Sequence, residues 1–164
     1  MSIEISDEKF NRAREDAEKH YEKIGKIWCP YFKEKVHFST EGFQHLLFKE
    51  WNRTRIRIEQ YKRLRLLPVA ERVIRKSHTL QEYDERNLMV RQKTNSRWQK
   101  VMKSVRYYVF IAMDLDIDAR VKVVVKEIEG GVKFFYSVYP SWREIKQENG
   151  ETKKVFHTGD LEID

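Results

Sequence analysis

The sequence has little of what disulfide-bonded, zinc-binding and membrane-spanning proteins require. Its single cysteine, Cys29, cannot build a disulfide framework or a thiolate zinc site. No stretch approaches the roughly 20 consecutive apolar residues that cross a bilayer, and the N-terminus carries neither a basic leader nor an apolar run. We therefore expect a soluble protein of the cytoplasm, with no membrane partner.

Motifs for metal ions and other cofactors are missing as well. The five histidines follow no short ligand spacing, and no paired-carboxylate signature accompanies them. Asp114, Asp116 and Asp118 alternate as in a calcium loop, but the required glycine and distal glutamate are absent. There is no glycine-rich phosphate loop, and Cys29 beside Pro30 is better interpreted as a buried thiol than as a nucleophile. The sequence predicts neither a metal nor another cofactor.

Charge is abundant, and its excess is positive. Of the 164 residues 36% are charged, and the formal net charge is +7, which favours nucleic acid, an anionic surface or an acidic protein as the partner. Hydrophobic residues make up 40% and aromatic residues 13%, which argues against general disorder. This length is enough for one domain with a sizeable core.

The positive excess is concentrated in one stretch, Arg53–Lys76. Nine arginines and lysines stand there against Glu59 and Glu71, and nine minus two equals the formal excess of the whole protein. Such a concentration suits a surface that follows phosphates, because solubility alone would scatter both signs. A solvated helical face is the other interpretation.

The strongest structural signal lies late in the chain, over residues 107–142. Runs rich in Val, Ile, Tyr and Phe are separated there by the Asp114–Asp118 stretch and by Gly130-Gly131, as in an antiparallel meander. The glycine pair predicts a hairpin, because a two-residue primed turn needs positive φ. Strict alternation in the strand after it predicts two faces, one with Phe134, Tyr136 and Val138 and the other with Phe135, Ser137 and Tyr139.

The upstream half of the chain is predicted to be helical. Ser6 and Thr40 are N-cap residues for two amphipathic helices, the first ending at Gly25 and the second running through Trp51. A third helix is expected after Arg57, and a proline opens a fourth. The first helix has an apolar stripe that packs on the domain or binds a partner.

We therefore predict a single α+β domain over residues 1–164, in which N-terminal helices pack on an antiparallel sheet of about four strands. An exposed hairpin tip is expected at Arg91–Ser96, and Asn149-Gly150 suits a turn between short strands or a frayed tail. The parts are an N-terminal helix (1–25), a helical basic region (36–78), the sheet (80–142) and a polar tail (143–164).

Metal-free cleavage of a phosphodiester is the chemistry that the remaining residues suit. It requires a base for the 2′-hydroxyl, cations for the phosphorane charge and an acid for the leaving oxygen. His45 exchanges protons near neutral pH, Lys49 follows one turn later, and Arg55 lies just beyond. A structural or exposed histidine is the alternative. The expected nucleic-acid contacts are the cations Arg53, Arg57, Arg63 and Arg65, with Tyr136, Tyr139 and Trp142 stacking on bases unless they fill a core.

Three segments taken together resemble one group of bacterial proteins: VHFSTEGFQHLLFKEW, the basic IEQYKRLRLLP and the late VKVVVKEIEGGVKFFYSVYPSW. The chain is similar over about Val36 to Trp142 to the barnase, EndoU, colicin D and RelE-like nuclease superfamily, including its phage-linked branches. Members place one or two helices before a four-stranded antiparallel sheet and cut RNA without metal. They often act as toxins held inactive by an antitoxin.

The resemblance implies a catalytic role for His45, basic roles for Lys49 and for Arg55 or Arg57, and a late-strand hydroxyl at Ser137. It implies RNA as the substrate and an acidic antitoxin or inhibitor as a protein partner. Our leading hypothesis is accordingly a metal-independent endoribonuclease of toxin type. Two alternatives stay open: a non-catalytic protein that binds nucleic acid through the Arg53–Lys76 stretch, and a basic module that docks an acidic protein.

Overall fold

A computed structural model describes residues 4–50, 53–114, 119–146, 148–150, 152–156, 160–162 and 164, with the backbone alone for residues 50, 142–146 and 152–156. This described part is α+β, as predicted, with four helices and a six-stranded, mostly antiparallel main sheet. The sheet is thus two strands wider than expected. None of the helices in these ranges is long and apolar enough to cross a membrane.

Three of the four helices begin and end close to the positions that local chemistry predicts; α2 is the exception, and its N-cap is Ser39, one residue before the predicted Thr40. Helix α1 starts after Ser6, whose Oγ accepts a hydrogen bond from the Lys9 N–H, and it ends at Gly25, where φ is 60°. It packs on the domain through Phe10 and Tyr21, which are buried. The helices are α1 (Asp7–Ile24), α2 (Thr40–Leu47), α3 (Arg57–Arg65) and α4 (Leu67–Lys76).

The strands divide into one main sheet and two small hairpins. In chain order they are β1 (Lys26–Cys29), β2 (Glu34–His37), β3 (Phe48–Glu50), β4 (Arg53–Thr54), β5 (Glu82–Thr94), β6 (Arg97–Asp114), β7 (Ala119–Ile128), β8 (Lys133–Pro140), β9 (Trp142–Lys146) and β10 (Thr152–Phe156). The main sheet has the order β1-β2-β8-β7-β6-β5. Strands β5 to β8 are the expected meander, and the β1–β2 hairpin joins it through a parallel pairing of His37 with Phe134.

Tight turns close the long hairpins of the meander. The hairpin predicted between β7 and β8 is confirmed, but its connection is longer than a two-residue primed turn. Pairing stops at Glu127 and Lys133, the Gly131 N–H donates to the Ile128 carbonyl oxygen at 2.8 Å, and of the two glycines only Gly130 has a positive φ, 81°. The β5–β6 turn is tighter than the Arg91–Ser96 tip predicted from sequence, since only Asn95 and Ser96 leave the ladder, with φ values of 49° and 65°. In the predicted polar tail, β9 and β10 pair as a hairpin around the Asn149-Gly150 turn. Residues 115–118, which include Asp116 and Asp118, lie outside the described ranges.

The main sheet separates two apolar clusters. The larger cluster joins the helices to the face of the sheet that carries Phe110, Val121, Val123, Val125, Phe135 and Val138. A smaller one covers the opposite face and consists of Val105, Tyr107, Val109, Val124, Phe134, Tyr136, Tyr139 and Leu161. Both faces of the sheet are therefore buried at β7 and β8, and the aromatic face there belongs to the smaller cluster.

A β-bulge at Tyr136 overturns the predicted alternation along β8. Val124 pairs with Ser137 and Val125 pairs with Phe135, so Tyr136 is an extra residue with no partner opposite it. The bulge reverses the inward and outward pattern beyond it. Ser137 therefore lies on the face of Tyr136, whereas Val138 joins Phe135 on the helix-covered face.

Helix α2 is shorter than predicted. It ends at Leu47, and Phe48 pairs with Thr54 in the β3–β4 hairpin. The Arg55 N–H donates to the Leu47 carbonyl at 3.0 Å, so the returning strand takes an acceptor that a longer helix would have used. Lys49 is consequently in a strand and not one helical turn after His45, while Trp51 lies outside the described residues.

Candidate active site

Four of the residues singled out from the sequence meet at the edge of β8. His45 comes from α2, Arg55 follows β4, Arg63 is in α3 and Ser137 is in β8. Arg55 Nη2 lies 3.0 Å from His45 Nε2, and Arg63 Nη1 donates a 2.8 Å hydrogen bond to Ser137 Oγ. All four side chains are buried. We refer to these four residues as the central cluster.

Close packing of α2 against β8 places His45 in the central cluster. A Cβ atom on Gly42 would lie 2.1 Å from the Phe135 carbonyl oxygen, so only glycine permits this approach. One turn further along α2, the His45 ring stacks on Tyr136 at 4.0 Å between centroids and 18° between planes. Because of the bulge, that stacked tyrosine is adjacent to Ser137 on the same face.

Arg55 fixes His45 through two hydrogen bonds. Its Nε donates to the His45 carbonyl oxygen at 3.0 Å, and its Nη2 contacts His45 Nε2. A guanidinium has no lone pair to offer, so the second contact is a hydrogen bond only when Nε2 is unprotonated. Arg55 therefore favours the neutral imidazole.

Electrostatics also favour a neutral His45. Burial, followed by the positive charges of Arg55, Arg63 and Lys126, lowers its pKa to about 2. In this conformation the ring is uncharged at neutral pH, which differs from the expectation of proton exchange near neutrality. Proton transfer by His45 therefore requires a change in its surroundings.

Glu59 is a member of the site that the sequence analysis missed. Its Oε1 accepts hydrogen bonds from Arg55 Nη1 at 3.2 Å and Arg63 Nη2 at 3.1 Å, so one carboxylate holds two guanidiniums together. Burial alone would raise the pKa of Glu59, but Arg63 and Arg55 outweigh it and keep that pKa below its ordinary value. The sequence did carry a signal for this role, because Arg55 and Arg63 each stand four residues from Glu59, a spacing that lets side chains pair on a helix.

Arg63 is almost completely enclosed, with 1% of its surface exposed. Burial, together with the charge of Arg55, lowers its pKa to about 10. Its guanidinium lies 5.1 Å from the centroid of the Tyr139 ring. Its Nε has no hydrogen-bond acceptor among the described atoms, an arrangement that is rare for a buried donor.

Residues 160–164, which we call the acidic segment, cover the central cluster. The Asp164 main-chain oxygen accepts hydrogen bonds from Arg55 at 3.1 Å, from Arg63 and from Ser137 at 3.1 Å. Leu161 is buried in the smaller apolar cluster. Residue 163 lies outside the described ranges.

Glu162 attaches the acidic segment to the aromatic face. Both of its carboxylate oxygens lie 3.0 Å from Lys126 Nζ, and one accepts a hydrogen bond from the Tyr107 hydroxyl. Its main-chain oxygen accepts from the Tyr136 hydroxyl at 2.9 Å. Burial and then the Glu162 charge raise the pKa of Tyr136, so it remains a neutral donor.

The other residues predicted from sequence lie outside the central cluster. Lys49 is half-buried in β3, near enough to Glu59 for its charge to help lower that carboxyl's pKa. Arg53 and Arg65 are exposed, and Arg57 forms an ion pair with Asp7. The backbone of Trp142 is in β9, but its side chain lies outside what the structure describes.

The Arg53–Lys76 stretch does not form one continuous basic face. Arg55 and Arg63 point inward, and Arg72 forms an ion pair with Asp114. Arg75 forms another with Glu71 on its own helix. The net charge of this stretch is therefore divided between the interior and several surfaces.

A pocket of about 50 Å³ lies beside the central cluster and is lined by Ile56, Ile58, Glu59, Lys62, Arg63, Tyr139 and Pro140. Within the described ranges no group of three or more His, Cys, Asp or Glu side chains is arranged to hold a metal ion.

No protein family, curated protein or solved structure matches the chain. The assignment of a function therefore depends on the geometry of the site.

Proposed function

We propose that the protein is a metal-independent endoribonuclease of toxin type whose active site is the central cluster. The observation that carries this proposal is the meeting of an imidazole, two guanidiniums and a hydroxyl from four separate places in the chain. These are the groups that metal-free cleavage of RNA needs. The superfamily that the sequence resembles uses the same reaction, and membership in it is part of the proposal.

In the proposed reaction the RNA 2′-oxygen loses its proton to a base and attacks the adjacent phosphorus. The bond to the 5′-oxygen then breaks, and that oxygen takes up a proton, leaving a 2′,3′-cyclic phosphate and a 5′-hydroxyl. Arg55 and Arg63 would neutralise the non-bridging oxygens, and Ser137 would donate a hydrogen bond to one of them. His45 would transfer the protons.

Access of RNA to the central cluster would require the acidic segment to move away. The Asp164 main-chain oxygen takes the hydrogen bonds that a phosphate oxygen would take from Arg55, Arg63 and Ser137. Once water and an anionic phosphate replace this segment, the causes that lower the His45 pKa weaken, and the pKa would rise towards its ordinary value of about 6.5. Displacement of the acidic segment would thus also activate His45 for proton transfer.

The test is incubation of labelled RNA with the purified protein in EDTA, followed by analysis of the RNA ends. We expect products with 2′,3′-cyclic phosphates, and a loss of rate of about 100-fold or more in His45→Ala. His78→Ala is the matched control, because His78 lies in the exposed loop before β5. Equal cleavage by wild type and His45→Ala would contradict the proposal.

Non-catalytic binding of nucleic acid is a second candidate, favoured by the closed state of the central cluster. Arg53, Lys62 and Arg65 remain exposed on the β4–α3 surface and could contact phosphates without any rearrangement. This function predicts salt-dependent binding without turnover. Reversing the charge of Arg53 and Arg65 together should then weaken binding, and unchanged affinity would contradict this candidate.

An acidic antitoxin or inhibitor is the protein partner that we propose for the same cytoplasmic setting. The acidic segment supports this idea, because it places a carboxylate against Lys126 and a main-chain oxygen against both buried arginines. An acidic partner could make equivalent contacts in place of this segment. Capture from nuclease-treated lysate at low and high salt would test for such a partner.

A further inference from the structure

The β5–β6 hairpin extends well beyond the rest of the main sheet. Strand β7 pairs with β6 only from Val105 onward, whereas β5 and β6 remain paired as far as Thr94 and Arg97. At about 3.3 Å per residue, the segment from Leu88 to the turn is roughly 20 Å long. We call residues 88–103 the β-arm.

The β-arm is exclusively basic in its charge. It carries five cations, Arg91, Lys93, Arg97, Lys100 and Lys103, and no aspartate or glutamate. The first four form no ion pair with any described carboxylate. In this respect the β-arm differs from the base of the same hairpin, where Arg86 pairs with Asp84 and Asp160.

One face of the β-arm combines three of these cations with large exposed apolar side chains. Trp98 is 62% exposed, and the directly opposed Met89 and Met102 are 55% and 58% exposed. Alternation along the strands puts the pairs Arg91–Lys100 and Lys93–Trp98 on this same face. The Arg91 guanidinium lies 5.4 Å from the centroid of the Trp98 ring.

This arrangement costs stability in the free protein. Two cations directly opposite each other on a strand pair repel, and Arg91 and Lys100 are such a pair. Solubility would be served by mixed charges and would not place a tryptophan and two methionines between them. A polyanion with flat apolar groups would satisfy both features of the face at once.

We propose that the β-arm is a docking surface for single-stranded RNA. Its cations contact successive phosphates, and Trp98 stacks on an unpaired base. The deep, narrow major groove of duplex RNA does not admit a ribbon of this width, which favours a single strand. The choice of RNA as the polyanion rests on the proposed function, whereas the need for phosphates and an aromatic stack is argued from the β-arm alone.

The test measures binding of a short, fluorescently labelled, 2′-O-methylated single-stranded RNA by anisotropy over a series of salt concentrations. The 2′-O-methyl group blocks cleavage, so binding is separated from turnover. We expect the variant Arg91→Gln/Lys93→Gln/Lys100→Gln to bind at least about tenfold more weakly, with a salt slope smaller by about 2. The matched control, Arg14→Gln/Lys19→Gln/Lys23→Gln, changes the same charges on the exposed side of α1 and should bind like wild type.

Trp98 provides a second and independent readout. Trp98→Ala should weaken binding severalfold at every salt concentration without changing the salt slope, and Trp98→Phe should retain most of the affinity. Equal affinities of the wild type and the β-arm triple variant would overturn the proposal, as would equal losses in the two triple variants. A β-arm variant that loses binding to anionic vesicles while keeping its RNA affinity would also overturn it.

The outcome for the β-arm is separable from the outcome for the central cluster. If the protein never cleaves RNA but the β-arm variant still loses RNA binding, the endoribonuclease proposal fails and the β-arm proposal stands. If RNA is cleaved and both triple variants bind alike, the endoribonuclease proposal stands and the β-arm proposal fails.

Discussion

Arg63 donates a 2.8 Å hydrogen bond to the Ser137 hydroxyl across 74 positions of sequence. The same hydroxyl donates to the Asp164 main-chain oxygen at 3.1 Å, so Ser137 links the basic helix α3 to the acidic segment. This contact brings the cationic stretch and the last strand of the main sheet into one site. Removing the Ser137 hydroxyl is the smallest change that tests the central cluster.

Ser137→Ala should separate function from stability. Arg63 keeps its hydrogen bonds to Glu59 and to the Asp164 main chain, so we expect a loss of only about 1 kcal/mol in the free energy of unfolding. RNA cleavage should fall much more, by about tenfold or more, because a donor to the phosphate is lost. Urea unfolding and cleavage rates measure the two effects. An unchanged cleavage rate would exclude Ser137 from the chemistry.

Glu59→Gln should be more harmful to folding. It leaves Arg55 and Arg63 buried side by side without a negative charge between them, and we expect a loss of about 3 kcal/mol in the free energy of unfolding. Glu22→Gln on the exposed side of α1 is the matched control. Similar unfolding midpoints for these two variants would show that Glu59 does not hold the pair together.

The same carboxylate should make stability depend on pH. Because the pKa of Glu59 is lower in the folded protein than in the unfolded chain, its contribution is full above the unfolded value of about 4.3 and is lost as the pH falls further. Unfolding in urea at a series of acidic pH values should show this loss in wild type. Glu59→Gln should lack this component, and identical acid profiles would contradict the assignment.

His45 should produce a second pH effect at higher pH. Its pKa is about 2 when folded and about 6.5 when unfolded, so its contribution is full above about pH 6.5 and declines as the pH falls, by up to about 1.4 kcal/mol per pH unit. His45→Gln removes this titration. Between neutral pH and about pH 5, the free energy of unfolding of this variant should therefore change less than that of wild type. Equal slopes would mean that the folded imidazole is not held neutral.

The parts of the fold that depend on local chemistry are predictable from the sequence. The Ser6 cap, the Gly25 stop and the Gly130 turn each follow from the conformational preference of one residue, and the structure confirms all three. The end of α2 is not predictable in this way. Local propensity continues the helix beyond Leu47, but the pairing of Phe48 with Thr54 overrides it.

The site depends on contacts that no local pattern specifies. The bulge at Tyr136 arises from how β8 pairs with β7, and it alone puts Ser137 on the face of the aromatic residues. The contact of the acidic segment with Arg55 spans 109 positions. Residue types could therefore indicate His45, Arg55 and Ser137 as candidates, but not that a main-chain oxygen of the same chain covers them.

Opening the acidic segment should increase RNA cleavage. Leu161→Asp removes the apolar anchor of this segment, and Glu162→Gln weakens its hold on Lys126. We expect the double variant to cleave RNA several times faster than wild type while still unfolding in one cooperative transition. The additional change His45→Ala should abolish the gain. A folded double variant with no gain in rate would show that the acidic segment does not restrict access.

Gly42→Ala should disable the site without altering any polar group in it. The added Cβ would lie 2.1 Å from the Phe135 carbonyl oxygen and 2.7 Å from the Tyr21 hydroxyl, so α2 must move away from β8. We expect a loss of about 1–3 kcal/mol in the free energy of unfolding, and a fall in RNA cleavage as His45 leaves its stack on Tyr136.

Gln44→Ala, on the exposed side of the same helix, is the control for helix propensity. Because alanine favours a helix over glycine, any destabilisation by Gly42→Ala must come from these contacts with Phe135 and Tyr21. A Gly42→Ala protein as stable and active as wild type would show that the close approach of α2 does not position His45.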